Sequence, residues 1–230
     1  RLVAIGALVR GPLDAIISLA PHTISSPAQL IGKTVATTGT ALAAAELAAY
    51  LGKANVPPAR VHTITTASPT TALIEHRAAA AVGALWNYGA VALTLAHRRN
   101  DAIPVDRAGV PSFTQLAIVV RVGEARRQGP LLRAFLQSLT RGERAVRADP
   151  AGAVATLTAF NPSLGRRFEL AVLAATIPVS SPAAPGEPFG YQSPIAWRRF
   201  GEWMQGAGLL HNAANAGLAI TNEFLPGQGE

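Results

Sequence analysis

Two rhythms of hydrophobic and polar positions divide the chain. Over roughly the first half, short apolar runs alternate with helix-like segments. The runs Leu2 to Leu8, Ala15 to Leu19, Thr34 to Ala36, Val61 to Ile64, Ala80 to Leu85, Ile103 to Val105 and Gln115 to Val122 have strand length and β-branched or small apolar content. Between them, Ser26-Pro27 opens a short helix, Thr37-Thr38-Gly39-Thr40 opens one reaching about Leu51, and Ser68-Pro69 opens one through Arg77. Trp86-Asn87-Tyr88-Gly89 leads into a helix to about Arg98. From Glu124 the period becomes helical, with segments Glu124 to Ala148, Pro150 to Phe160, Leu164 to Thr176 and Pro194 to Gly206. Asp149-Pro150 and Asn161-Pro162 punctuate them, and the Ser-, Pro- and Ala-rich stretch Pro178 to Pro188 reads as a loop.

Strands alternating with helices predict a parallel α/β sheet. Leu2 to Leu19 and Gln115 to Val122 read as two parts of one sheet, with Thr34 to Val105 inserted as a second lobe. The expected division is residues 1–32 with 112–230 as lobe 1, and 33–111 as lobe 2. Two lobes joined by two crossings make a hinged clamp.

Composition narrows the classes. In 230 residues, 49% are hydrophobic and 14% charged, which excludes a disordered chain. Cysteine is absent, which removes disulfides, thiolate metal sites and a cysteine nucleophile. The net charge of +7 comes almost wholly from arginine, Lys33 and Lys53 being the only lysines. Much of it lies at Arg121, Arg126, Arg127, Arg133, Arg141, Arg144 and Arg147, interleaved with Leu and Ala. That is the pattern of a solvated helix face, without the interleaved aromatics of a nucleic-acid binder. Ala78 to Ala96 carries no formal charge, but its Gly83, Asn87 and Gly89 read as strand, loop and helix rather than a membrane span.

In an open α/β sheet, ligands sit beyond the carboxyl ends of strands. Trp86, Asn87 and Tyr88 fall there, offering two rings for stacking and an amide with a donor and an acceptor. Thr38, Gly39 and Thr40 stand at a helix start, where free N–H groups suit a polar ligand or merely a cap. Asp14 follows a Gly-Pro turn, as a ligand acceptor or a turn residue. Trp197, Phe200, Trp203 and Met204 share helical spacing and read as core. The five histidines are scattered, with no metal-ligand spacing, and no hydrolase, P-loop or dinucleotide motif appears. No catalytic residue, metal or cofactor is assigned.

Several motifs in order resemble the solute-binding proteins of bacterial ABC importers that capture thiamine-pyrimidine precursors, the NMT1/THI5-like family. They are Leu30-Ile31-Gly32-Lys33, Trp86-Asn87-Tyr88, Asp106 through Gly109-Val110-Pro111, Phe189-Gly190-Tyr191, and Thr221-Asn222 through Phe224-Leu225-Pro226. The resemblance implies a type II periplasmic-binding-protein fold, with two α/β lobes, a hinge, and the leading part of lobe 1 lying before Arg1. It implies a monomeric, non-enzymatic binder of a small planar heterocycle, working with ABC permease and ATPase subunits outside the cytoplasm, free or lipid-anchored. It implies no nucleic-acid partner. The ligand it implies is a hydroxymethyl- or formylaminomethyl-aminopyrimidine. The same superfamily holds pyrimidine synthases and binders of riboflavin, sulfonate or nitrate, which remain alternatives. One departure stands out: the resemblance puts a glutamate after Trp-Asn-Tyr, and this chain has Gly89.

Overall fold

The computed structural model describes residues 1–180 and 186–228, which form two compact units. The chain begins in the first unit with β1 (Leu2–Val9) and passes into the second at Pro12.

The second unit holds residues 12–112 and 206–209. Its elements are β2 (Asp14–Leu19), β3 (Thr34–Thr37), α1 (Ala41–Gly52), β4 (His62–Thr65), α2 (Pro69–Ile74), β5 (Ala80–Leu85), α3 (Val91–Leu95) and β6 (Asn100–Pro104). They build one five-stranded sheet in the order β4-β3-β5-β2-β6. β3 runs parallel to β4 and β5, while β2 lies antiparallel to both β5 and β6. The sheet is therefore mixed, not parallel as expected. A buried strand is apolar on both faces, so its residues do not record its direction. Residues 12–32 consequently belong to this unit, not with the first 11 residues as the expected division had it. β2 is the cause, since its ladders run to β5 and β6 rather than β1.

Alternation along β2 sorts two cores. Ile16 faces Val35, Val82 and the α1 residues Ala43, Leu47, Tyr50 and Leu51. Ala15 and Ile17 face Leu73, Ala81 and Leu93, with Trp86 packed against them. The turn Asp106 to Pro111 lies on α1: Gly109, at φ +106°, would put a Cβ 3.0 Å from the Ala49 carbonyl oxygen, and Lys53 Nζ donates to the Arg107 carbonyl at 2.6 Å.

The first unit pairs β1 antiparallel with β7 (Leu116–Arg121) in a two-stranded sheet. α4 (Val122–Arg127), α5 (Gly129–Ala148), α6 (Pro150–Phe160), α7 (Arg166–Ser180) and α8 (Pro194–Gly206) follow. The expected helix from Glu124 to Ala148 is broken at Gln128, because Gly129-Pro130 starts a new one. α7 takes Pro178 into its last turn, and Arg10 and Arg147 donate to the carbonyls of Pro178 and Ile177. Residues 181–185, part of the expected loop, lie outside the described residues.

This unit's core is Ile5, Ala125, Leu136, Phe224 and Leu225. The tail motifs close it. Asn222 accepts from the Gln192 backbone N–H at 3.0 Å and donates to the Gln192 carbonyl at 2.8 Å. Phe200 stacks on Phe113 with centroids 4.2 Å apart and on Trp203 at 5.5 Å, so α8's aromatics are packing residues. Among the described residues, no helix is long and apolar enough to cross a membrane; residues 80–95 are β5, a π-helical turn and α3.

Candidate functional site

The mixed topology brings the named residues of the second unit to one end of its sheet. β3 and β5 finish there, and β2, running the other way, begins there. Asp14 pairs with Leu85, the last residue of β5, so its carboxylate arrives beside the turn that carries Trp86, Asn87 and Tyr88.

At the end of β3, the chain turns sharply. Gly39 adopts φ +75°, and a Cβ on it would sit 2.5 Å from the Thr65 methyl carbon. Only glycine fits that corner. The Thr37 hydroxyl accepts from Gly39 N–H at 3.2 Å. The Thr38 and Thr40 hydroxyls lie 3.2 Å apart, and Thr40 caps α1 by accepting from Ala43 N–H at 3.1 Å. Across from them, Gly83 on β5 makes room for Thr38, since a Cβ there would approach its hydroxyl oxygen to 2.8 Å.

At the end of β5, residues 86–90 wind as one π-helical turn. The three residues of the motif take different stations. The Trp86 indole is half-buried in the core, and its Nε1–H donates to the Pro12 carbonyl at 3.0 Å. Asn87 is buried, at 6% exposure, while Tyr88 is 54% exposed. Tyr88 is thus the exposed ring of the two, while Trp86 packs against the core. Gly89 packs under α2: a Cβ would lie 2.9 Å from the Thr70 methyl carbon. A side chain there, such as the glutamate the resemblance puts at this position, would have to displace Thr70.

A second carboxyl group lies within range of the Asp14 charge. Glu46, the single charged residue of α1, is 1% exposed, and neither carboxyl oxygen has a hydrogen-bond partner among the described residues. Burial, and then the charge on Asp14, raise its pKa from 4.5 to about 8. It is a neutral acid at pH 7. One turn on, burial and then the Asp101 charge push the Tyr50 hydroxyl upward. Sequence reading missed Glu46; the signal was a lone carboxylate at i−4 from a tyrosine on an otherwise apolar helix.

The arrangement offers hydroxyls, an amide, an exposed phenol ring and an acceptor carboxylate at Asp14, itself only 8% exposed. Such groups can donate and accept hydrogen bonds and stack on a ring. Among the described residues, no cluster of three His, Cys, Asp or Glu could hold a metal ion.

Residues 1–153 match the family described as NMT1/THI5 like. The chain belongs to that family. The match spans Leu30 to Lys33, Trp86 to Tyr88 and Asp106 to Pro111, but ends before the tail motifs. The chain is 25% identical over 209 residues to the formylaminopyrimidine-binding protein of Halalkalibacterium halodurans, covering 88% of this chain. It spans 62% of that protein's length. In fold it is similar to the alkanesulfonate-binding protein SsuA of Xanthomonas axonopodis pv. citri, solved with MOPS, with a TM-score of 0.65, 18% identity and coverage of 96% of this chain and 73% of that one. The aliphatic sulphonate-binding SsuA of Escherichia coli gives 0.65 at 17% identity, covering 91% and 67%. The desulfurization enzyme DSZB, as a mutant with biphenyl-2-sulfinic acid, gives 0.64 at 13%, covering 97% and 78%. The fold is that of the SsuA-type periplasmic binding proteins.

Proposed function

We propose that this chain belongs to a solute-binding protein that captures an aminopyrimidine thiamine precursor, of the hydroxymethyl or formylaminomethyl kind, and delivers it to an ABC permease and its ATPase. The observation that supports the reading most is the convergence of Asp14, Thr38, Thr40, Asn87 and Tyr88 on one sheet end in a chain of this family. Asp14 accepts from the exocyclic amine, Tyr88 stacks on the ring, and the threonine hydroxyls take the substituent at the 5-position. The work is binding, not turnover, and it takes place outside the cytoplasm.

A rival reading is a sulfonate. It is favoured by the Thr38-Gly39-Thr40 start of α1, where backbone N–H groups and the helix dipole suit an anion. The enzyme reading draws on the fold likeness to DSZB.

Calorimetric titration with formylaminopyrimidine, its hydroxymethyl relative and an alkanesulfonate decides among them. Saturable one-to-one binding of a pyrimidine, weakened at least tenfold in Asp14→Asn, is the expected result. Tighter binding of the sulfonate, or consumption of the pyrimidine, would overturn the proposal.

A further inference from the structure

At the opposite end of the second unit's sheet, where β2 ends and β3 begins, lies a cavity of about 770 Å³. Four chain segments meet around it: the loop after β2, the start of β3, and the segments that follow α2 and α3. Each brings positive charge or an imidazole. Lys33 comes from the start of β3, Arg77 from the end of α2, and Arg98 and Arg99 from the end of α3. His22, His76 and His97, scattered in sequence, also line it. No carboxylate is among the lining residues.

Two ordinary explanations cover part of this. Cations at helix C-termini are favoured by about 0.3–1 kcal/mol each within the last turn, which contributes at most weakly to Arg77, Arg98 and Arg99, three or four residues past the ends of α2 and α3. Glu75 pairs with Arg77 at 2.7 Å. Neither explains Lys33 or His22, which follow no α-helix. Lys33, Arg98 and Arg99 have no ion-pair partner among the described residues. Like charges gathered without counter-charges repel one another, so their concentration around one concavity asks for an anion. The floor is apolar, with Leu73 and Ile24 buried and Leu19 partly so. A volume in the range of small-molecule sites leaves room for more than an inorganic ion.

We propose that this cavity is a second ligand site, separate from the Thr38–Tyr88 end, and that it binds a phosphate-bearing anion whose organic part rests on the Leu19–Leu73 floor. Guanidinium groups meet phosphate oxygens in forked pairs, and Lys33 adds a point charge. A soluble organic phosphate and a phospholipid headgroup share this chemistry. The inference does not rest on the pyrimidine reading.

The test uses the whole chain at fixed ionic strength, with inorganic diphosphate as the soluble probe and phosphatidylglycerol vesicles as the lipid probe. Diphosphate is expected to bind with one-to-one stoichiometry and to raise the melting temperature. The double variant Lys33→Glu/Arg98→Glu should weaken it at least tenfold. Arg141→Glu/Arg144→Glu on α5, with the same change of net charge, should alter it less than threefold. Lys33→Gln/Arg98→Gln, checked by circular dichroism, repeats the measurement should the charge reversals not fold. Binding of diphosphate without the vesicles assigns a soluble phosphate; vesicle binding that Lys33→Gln/Arg98→Gln abolishes assigns a headgroup. Equal losses in the cavity and α5 variants would reduce the effect to diffuse charge and overturn the proposal, as would no binding of either probe.

Discussion

The charge of Asp14, at the start of β2, acts on the buried Glu46 of α1 and adds to burial in raising the Glu46 pKa to about 8. The pair ties the candidate ligand end to the stability of the unit. A carboxyl whose folded pKa lies above its ordinary 4.5 binds its proton more tightly when folded. Its contribution is fullest below pH 4.5 and is lost as pH rises through about 8. Across that whole window the loss is about 5 kcal/mol at most. Unfolding free energy measured by denaturant between pH 5 and 8.5 should fall steadily, and Glu46→Gln should flatten the curve. A wild-type curve that rises with pH would refute this.

Asp14→Asn separates the two causes. Removing the charge leaves burial, the larger cause, in place. The pH at which stability levels off should therefore shift downward without returning to 4.5. The same variant reports on ligand binding, so both effects can be read from one protein.

The corner at Gly39 predicts a steep local penalty. Alanine there would adopt φ +75° and meet the Thr65 methyl. The left-handed conformation alone costs about 1–2 kcal/mol. Gly39→Ala should lower stability by at least that much, and Thr65→Ser in the same chain should recover part of it. A double-mutant cycle with no coupling would show that the contact is not felt.

Tyr88 and Trp86 should separate in experiment. Tyr88→Ala removes an exposed ring; by the usual worth of stacking, about 0.5–1.5 kcal/mol, ligand affinity should drop about two- to tenfold with stability unchanged. Trp86→Ala empties core packing and should cost about 3–5 kcal/mol of stability. Thermal melts beside calorimetry distinguish the two.

In the first unit, Asn222→Ala leaves both backbone groups of Gln192 without the side chain that pairs them. An unsatisfied buried polar group costs about 1–3 kcal/mol. A loss in that range is expected in chemical unfolding, with ligand affinity at the Thr38–Tyr88 end retained.

Much of this fold was legible because glycines, prolines and threonines mark boundaries locally. Thr40 caps α1, Gly129-Pro130 restarts a helix, and the apolar runs become strands. The direction of β2 was not legible, because Ala15-Ile16-Ile17 reads the same either way. That one ambiguity moved residues 12–32 into the wrong unit and hid why Asp14 lies beside Leu85. The family motifs divided unevenly. Asp106 to Pro111, Gly190 and Phe224-Leu225 are packing devices, whereas Tyr88 sits at the candidate site. Residue type cannot separate a conformational glycine from one that touches a ligand. Glu46 escaped because its significance comes from burial and from the charge of Asp14, 32 residues away in sequence.

The way the chain is apportioned between the units sets an order of events during synthesis. Residues 12–112 are uninterrupted and contain every strand of the five-stranded sheet. They can collapse while the ribosome is still making the helices beyond. The other core joins Ile5 to Phe224 and Leu225, so it cannot close until almost all of these 230 residues have emerged. Through that interval β1 waits for β7, which is made more than 100 residues later. A nascent chain stalled once Ser112 has cleared the ribosome should therefore protect the second unit from protease before the core that joins Ile5 to Phe224 has formed.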